Sequence, residues 1–247
     1  MDFSHYVDQI ESLYLSGLPE GLKKEVSVFP PLERVMGEVP KRLLIIAPHP
    51  DDECLMSGLA LRAKEECGTE VAVLAYGFGS DPSRQEERKK EFKKALQVLG
   101  FKELVHGSSG VFGVIQSFQP DAILIPNRQD SHPTHIRCSE EAWNAARSAA
   151  AASKNKLMVF ESEYWGPMGN PNLLIPLSSG TVKRMGLGLL CHEGEIARNP
   201  YHLSLPAFLI DQQRRGSEIM SGFGAKPAPA VFAQLYRRTT LSPEAWS

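Results

Sequence analysis

The sequence predicts an α/β protein of three layers, a Rossmann-like, mainly parallel sheet with helices on both faces. Two apolar runs that end in clusters of histidine and aspartate carry most of this prediction. Residues 42–47, Arg-Leu-Leu-Ile-Ile-Ala, lead into Pro48-His49-Pro50-Asp51-Asp52-Glu53. Residues 120–126, Pro-Asp-Ala-Ile-Leu-Ile-Pro, lead into Asn127-Arg128-Gln129-Asp130-Ser131-His132-Pro133-Thr134-His135. Short apolar runs bounded by polar loops and followed by helical patterns read as strands buried on both faces of a parallel sheet. A third run, residues 70–76 with Val71, Val73 and Leu74, follows the helical stretch 53–66. Strand, helix and strand in that order make a βαβ unit, whose crossover is right-handed.

The other elements follow in chain order. In residues 1–18, Phe3, Tyr6, Val7, Ile10, Leu13 and Tyr14 have helical spacing, and Gly17 and Pro19 end the helix. Its apolar face is expected to pack on the chain's own core. Residues 20–40, with Pro30, Pro31 and Pro40, read as an irregular arm lying on the domain. Residues 83–99 predict a charged helix, with Ser83 as N-cap and Glu86 at capping-box spacing. A short strand is expected over 101–106, a short helix over 111–118, a long helix over 136–152 and a strand over 157–161. Residues 170–180 read as loop or edge strand, 181–196 and 206–221 as helices, 231–236 as a last strand, and Arg237 onward as a tail. With no internal repeat and no linker, one domain across residues 1–247 is expected, residues 1–40 being its N-terminal helix and arm.

In open α/β sheets, ligands bind beyond the carboxyl ends of the strands, which is where both clusters would lie. Neutral imidazole and carboxylate are good zinc ligands, and a catalytic zinc takes three protein ligands plus water. A further carboxylate beside the metal can take the proton from that water. Pro48 and Pro50 stiffen the first turn. The structural alternative is that Asp51 or Asp52 merely caps the following helix. Gly77 and Gly79 lack both the P-loop lysine and the order of a dinucleotide-binding loop, and His106 has no motif around it. Tyr164-Trp165, beside Glu161 and Glu163, suits either stacking on a sugar ring or covering the core.

His49-Pro50-Asp51-Asp52-Glu53 together with Asp130-Ser131-His132-Pro133-Thr134-His135 resembles the LmbE/PIG-L family of zinc-dependent N-acetylglucosaminyl de-N-acetylases. Arg88, Glu91, Ala95, Leu99 and Gly100 match that family's R-x-x-E-x-x-x-A-x-x-x-L-G helix, and the likeness runs over about residues 42–150. The resemblance implies one zinc ion per chain, held by His49, Asp52 and His135. It implies Asp51 as general base and His132 as general acid or oxyanion stabiliser. Glu53 would support the ligands from behind, and Arg88 is a candidate substrate contact. Thr134 stands where the family commonly has aspartate, which bears on how His132 is tuned. His192 occupies roughly the place of a histidine in the family's C-terminal helix, but the serine and glutamine that usually follow are absent. No role is assigned to it.

The function expected is therefore that of a zinc-dependent amidohydrolase, acting on the linear C–N amide bond of a small N-acetylated aminosugar conjugate. The rival readings are a metal-dependent phosphoesterase, which needs more bridging ligands, and a non-catalytic sugar- or nucleotide-binding module on the same scaffold. A net charge of −2 on 247 residues supplies no field favouring nucleic acid or an anionic membrane. No stretch reaches the roughly 18 apolar residues of a membrane span, and no apolar leader follows a basic segment at the N-terminus. Cys54, Cys67, Cys138 and Cys191 form no C-x-x-C pair, as in a reduced cytoplasmic protein. Cys54 and Cys138 lie near the two motifs, but inside predicted helices they read as small hydrophobes. The aglycone and any homo-oligomer are left open by the sequence.

Overall fold

The computed structural model describes residues 2–26, 29–153, 155–226 and 228–242. Met1 and residues 243–247, the start of the expected first helix and the end of the expected tail, lie outside the described residues. Seven strands form one sheet: β1 (Arg42–Ala47), β2 (Glu70–Ala75), β3 (Lys102–Leu104), β4 (Ala122–Pro126), β5 (Leu157–Ser162), β6 (Leu173–Leu177) and β7 (Phe232–Leu241). Their order across the sheet is β3-β2-β1-β4-β5-β7-β6. The first five run parallel, and β7 is antiparallel to both β5 and β6.

The strand alternation of β1 shows why the sheet has two cores. Leu43, Ile45 and Ala47 enter one apolar cluster, whereas Leu44 and Ile46 enter the other. The first cluster takes Phe3 and Val7 from α1 (Phe3–Ser16), Leu59 and Ala60 from α5 (Gly58–Cys67) and Phe92 and Leu96 from α6 (Gln85–Leu99). It also takes Val182 and Met185 from α9 (Ser179–Leu189), and Leu205 and Leu209 from α11 (Tyr201–Ser221). The opposite face is covered by α7 (Gly110–Phe118) and α8 (Pro133–Ser153), through residues such as Val111, Ile115, Ala142 and Ala146. Sequence order reverses between β1 and β4, which pair directly with Leu44 opposite Ile123. That is the topological switch point, where the strand-end loops diverge and leave a crevice. Both histidine–aspartate clusters follow these two strands.

Several expectations need correction. The helix expected over 53–66 is two pieces, a single turn α4 (Asp52–Leu55) and α5, separated by Met56 and Ser57. Ser83 is not the N-cap of the charged helix. Asp81 accepts the Ser83 N–H and hydroxyl at 3.0 and 2.6 Å and starts a 3-10 turn, Pro82–Arg84, ahead of α6. The helix α8 begins at Pro133, not near Ile136, because proline suits a first helical position, where no N–H is needed. Residues 181–196 are divided between α9 and a single turn, α10 (Glu193–Ile196). The stretch read as a tail from Arg237 continues β7 to Leu241, zipped against β5. The arm contains two short helices, α2 (Glu20–Val26) and α3 (Leu32–Met36). It is tied down by buried Arg62, which donates to Pro30 O at 2.8 Å and pairs with Glu66, itself accepting the Leu32 N–H at 2.7 Å. Among the described residues no helix is long and apolar enough to cross a membrane.

Candidate metal centre

The loop after β1 turns at Asp51, whose φ of 111° is rare for a residue with a side chain. Two local hydrogen bonds hold this turn. Asp52 Oδ2 accepts the His49 N–H at 2.8 Å, and Glu53 Oε2 accepts the Asp51 N–H at 2.8 Å. The Asp51 carboxylate makes no helix cap, so capping does not account for it. It lines a cavity of about 200 Å³ together with His49, Asp52, Arg88, His132 and His135.

Asp52 Oδ2 lies 3.3 Å from His49 Nδ1 and 3.3 Å from His135 Nε2. Tetrahedral zinc with Zn–N bonds of about 2.0–2.1 Å sets neighbouring ligand atoms about 3.3–3.4 Å apart. The ring nitrogens of His49, His132 and His135 also fall within 4.8 Å of one another. Two loops distant in sequence thus deliver one carboxylate and three imidazoles to one point. Burial opposes ionisation of Asp52, but hydrogen bonds from His135 and His49 outweigh it and hold the carboxyl well below its usual range. Such a deprotonated oxygen between two imidazoles is a donor set suited to a borderline cation such as zinc.

Asp130, to which the sequence analysis gave no role, orients the second loop. Its Oδ1 accepts the His132 N–H at 2.8 Å, and its Oδ2 accepts the Trp165 N–H at 3.2 Å and stands 3.6 Å from His135 Nδ1. An aspartate behind a ligating histidine fixes the ring and its tautomer. The Asp-x-His spacing is the sequence signal for the bond to the His132 N–H, whereas His135 lies five residues on. Burial lowers the His135 pKa, but Asp130 and Asp52 more than reverse it and raise it to about 9. The β5–β6 loop comes close because Gly166 has no side chain; a Cβ there would stand 2.7 Å from Gln129 O.

His132 is less buried and bonded differently. Its Nδ1 accepts the Thr134 N–H at 3.3 Å, which leaves the ring proton on Nε2. Burial, then the neighbouring His135 and His49, lower its pKa. Thr134 lies in the first turn of α8, and its hydroxyl accepts from Arg137 at 3.4 Å rather than capping a later helix. The Asp51 pKa is raised well above the carboxylate range by burial, then by the charges of Asp52 and Glu53. That is the direction a general base needs.

Behind the centre, Glu53 and His192 are wholly buried, with Glu53 Oε1 2.7 Å from His192 Nε2 and 3.4 Å from Cys54 Sγ. His192 therefore reaches the site through Glu53, the residue that holds the Asp51 backbone. Cys54 belongs to this buried group, whereas Cys138 points at Ile46 O at 3.9 Å. Tyr164 and Trp165 differ in their surroundings. Tyr164 packs edge-on against His135 and donates its hydroxyl to Asp52 O, whereas Trp165 is 55% exposed on the cavity rim. Arg88, on the first turns of α6, reaches toward the site, donating to Pro50 O at 3.1 Å and facing Glu195 at 3.6 Å. Glu195 and Arg198, also at this edge, carried no sequence signal because no motif surrounds them.

A family model described as PIG-L, GlcNAc-PI de-N-acetylase, matches residues 44–146. No curated protein matches the chain. Among solved structures, the conserved protein TT1542 from Thermus thermophilus is 21% identical, with TM-score 0.57 over 79% of this chain and 93% of that one. The N,N'-diacetylchitobiose deacetylase of Pyrococcus horikoshii is 16% identical, with TM-score 0.57 over 96% of this chain and 94% of that one. GalB, a 4-carboxy-2-hydroxymuconate hydratase from Pseudomonas putida, is 16% identical, with TM-score 0.64 over 81% of this chain and 96% of that one. At such identities the likeness establishes a shared fold, and the fold does not choose between deacetylation and hydration.

Proposed function

Taking as premise that residues 44–146 form a PIG-L family domain, we propose that the chain is a zinc-dependent hydrolase removing acetyl from an N-acetylglucosaminyl-type conjugate. The observation that carries this reading is Asp52 Oδ2 at 3.3 Å from both His49 Nδ1 and His135 Nε2, with the Asp51 carboxylate lining the same cavity. His49, Asp52 and His135 would hold the metal. A bound zinc ion supplies Lewis-acid polarisation of the amide carbonyl and makes water acidic enough to be deprotonated near neutral pH.

The chain's own groups supply the remainder. Asp51 takes the proton of the attacking water, a role supported by its raised pKa and by a backbone held in place by Glu53. The tautomer at His132 supports Nε2–H as a donor to the oxygen on which negative charge develops. A depressed pKa argues against His132 as a standing acid, so Asp51 is the better source of the proton that departs with the amine. Asp130, whose Oδ2 stands 3.6 Å from His135 Nδ1, would steady the His135 ring electrostatically. Arg88 and Trp165, both lining the cavity, would contact the sugar.

Acetate release from a panel of N-acetylglucosaminyl conjugates, with zinc restored to chelated protein, tests the proposal. Release that depends on zinc and disappears in Asp51→Asn is the expected result. A zinc-loaded protein that releases no acetate but hydrates an activated alkene acid would move it to the chemistry named for GalB. Phosphate release from a phosphate ester would favour the phosphoesterase reading.

A further inference from the structure

Beside the centre, a second and larger cavity of about 660 Å³ opens toward solvent, sharing His49, Arg88, His132 and Arg198 with the first. Its outer wall carries Arg84, Arg137 and Arg198 as well as Arg88, against one lining carboxylate, Asp81. Asp81 is already engaged in capping the Pro82–Arg84 turn. Behind the wall, Glu195 alone faces three of these guanidinium groups, with contacts to Arg84 at 3.3 Å, to Arg88 at 3.6 Å and to Arg198. Arg137 is paired with no carboxylate among the described residues; it donates to the Thr134 hydroxyl at 3.4 Å. On the lining of this cavity four arginines meet one carboxylate, Asp81, with Glu195 behind them and Asp51 of the adjoining cavity also acting on Arg88 and Arg198.

Two further observations show that the wall is built rather than accidental. Gly79 has φ +90°, and a Cβ there would stand 2.5 Å from Arg88 Nη1, so the loop is shaped around this guanidinium. Arg88 is 9% exposed, yet its Nε has no hydrogen-bond partner. A buried donor without a partner is costly unless something arrives to accept from it. Guanidinium groups on a cavity wall are matched by carboxylate or phosphate, to which they donate in pairs.

We propose that this cavity is the aglycone subsite, and that Arg84, Arg137 and Arg198, with Arg88 behind them, select conjugates bearing a carboxylate or phosphate. This rests on the deacetylase reading for its reaction, but not for its binding. The sugar would sit over His49 and His132, leaving its anomeric substituent to extend into the arginine-lined space. The substrate class is then an acidic conjugate of N-acetylglucosamine, not a neutral oligosaccharide.

Three ligands that differ only at the anomeric oxygen test it: methyl N-acetylglucosaminide, its carboxymethyl counterpart and N-acetylglucosamine 1-phosphate. Isothermal titration on the zinc-loaded full chain reads binding, and acetate release reads kcat/KM. One or two charge-assisted hydrogen bonds should favour at least one anionic ligand by about 10–100-fold at low salt, fading as salt rises. In the Arg84→Gln/Arg137→Gln double variant, the ratio of anionic to neutral affinity should fall at least about fivefold. Equal affinity for all three ligands, undetectable binding of all three, or an unchanged ratio in the double variant overturns the subsite. Selective binding without acetate release from any ligand would keep the subsite and refute the deacetylase reading. Preference for the phosphate or for the carboxymethyl conjugate identifies the natural anion.

Discussion

Removing His192 should damage a site it does not touch. Glu53 is wholly buried, and its carboxylate is satisfied by the His192 ring at 2.7 Å, the Asp51 N–H at 2.8 Å and the Cys54 thiol at 3.4 Å. In His192→Ala the ring is lost and a carboxylate stays in the core with its main partner missing. Breaking one side of a buried pair costs about 3–5 kcal/mol, a large share of the roughly 5–15 kcal/mol that holds an ordinary domain together. The functional consequence follows from the Asp51 turn. A side-chain-bearing residue at positive φ stores about 1–3 kcal/mol, and persists only while its surroundings enforce it. If Glu53 rotates to find a new partner, the Asp51 turn loses its hydrogen bond and the base drifts; misplacement of about 1 Å can cost about 10²-fold in rate. The assay combines urea unfolding, zinc content after dialysis and acetate release. His192→Gln, whose amide can still donate to Glu53, should recover part of both stability and kcat, and protects the test if the alanine variant fails to fold. An alanine variant within about 0.5 kcal/mol of the parent, the usual range for a neutral surface change, would refute this account of the buried pair.

Other expectations can be checked alongside. His49→Ala, Asp52→Ala and His135→Ala should each greatly weaken zinc retention, whereas His132→Ala should retain it; loss of zinc in His132→Ala would make that ring a ligand. Asp51→Asn should keep zinc and lose about 10²–10⁴-fold in rate as expected of a general base, and loss of the metal with the activity would reassign Asp51. In metal-free protein, His135 binds a proton more tightly folded than unfolded, with a pKa of about 9 against 6.5. Its contribution is therefore full below about pH 6.5 and lost as pH rises through about 9, an upper bound of about 3 kcal/mol at 1.36 kcal/mol per unit; urea midpoints of chelated protein between pH 6 and 10 read it, and a flat profile would contradict it. Thr134→Asp should place its carboxylate on Arg137, three residues along α8, because the threonine hydroxyl already meets that guanidinium. The basic limb of kcat/KM should then move little, and a rise of a full unit would show that residue 134 reaches His132 instead.

The strands and the metal-binding residue types were legible along the chain because each depends on neighbours in sequence. The runs 42–47 and 120–126 are apolar where a sheet covered on both faces requires it, and the structure uses residues 42–47 and 122–126 as adjacent central strands. The order of Asp, His and Pro in the two loops likewise marks residue types able to bind a metal, and the fold brings the two loops together. What escaped were features set by partners far away in sequence. Residues 237–241 look like a polar tail, with Arg237, Arg238, Thr239 and Thr240 in a row, yet they form strand because β5 offers an unpaired edge. The break at Met56 and Ser57 follows in part from Tyr236 and Gln234 of β7, which accept the N–H groups of Leu59 and Gly58 at 3.0 Å and so hold the start of α5. His192 acquires a partner because the end of α9 brings it to Glu53 across the core, and Arg84, Arg137 and Arg198 share one wall although the turn before α6, α8 and the segment after α10 supply them separately. Composition and periodicity determined which segments could be buried and which residues could bind a metal. Only the packing of distant segments decided which charges face one another, because a side chain's electrostatic surroundings are set by distance in space.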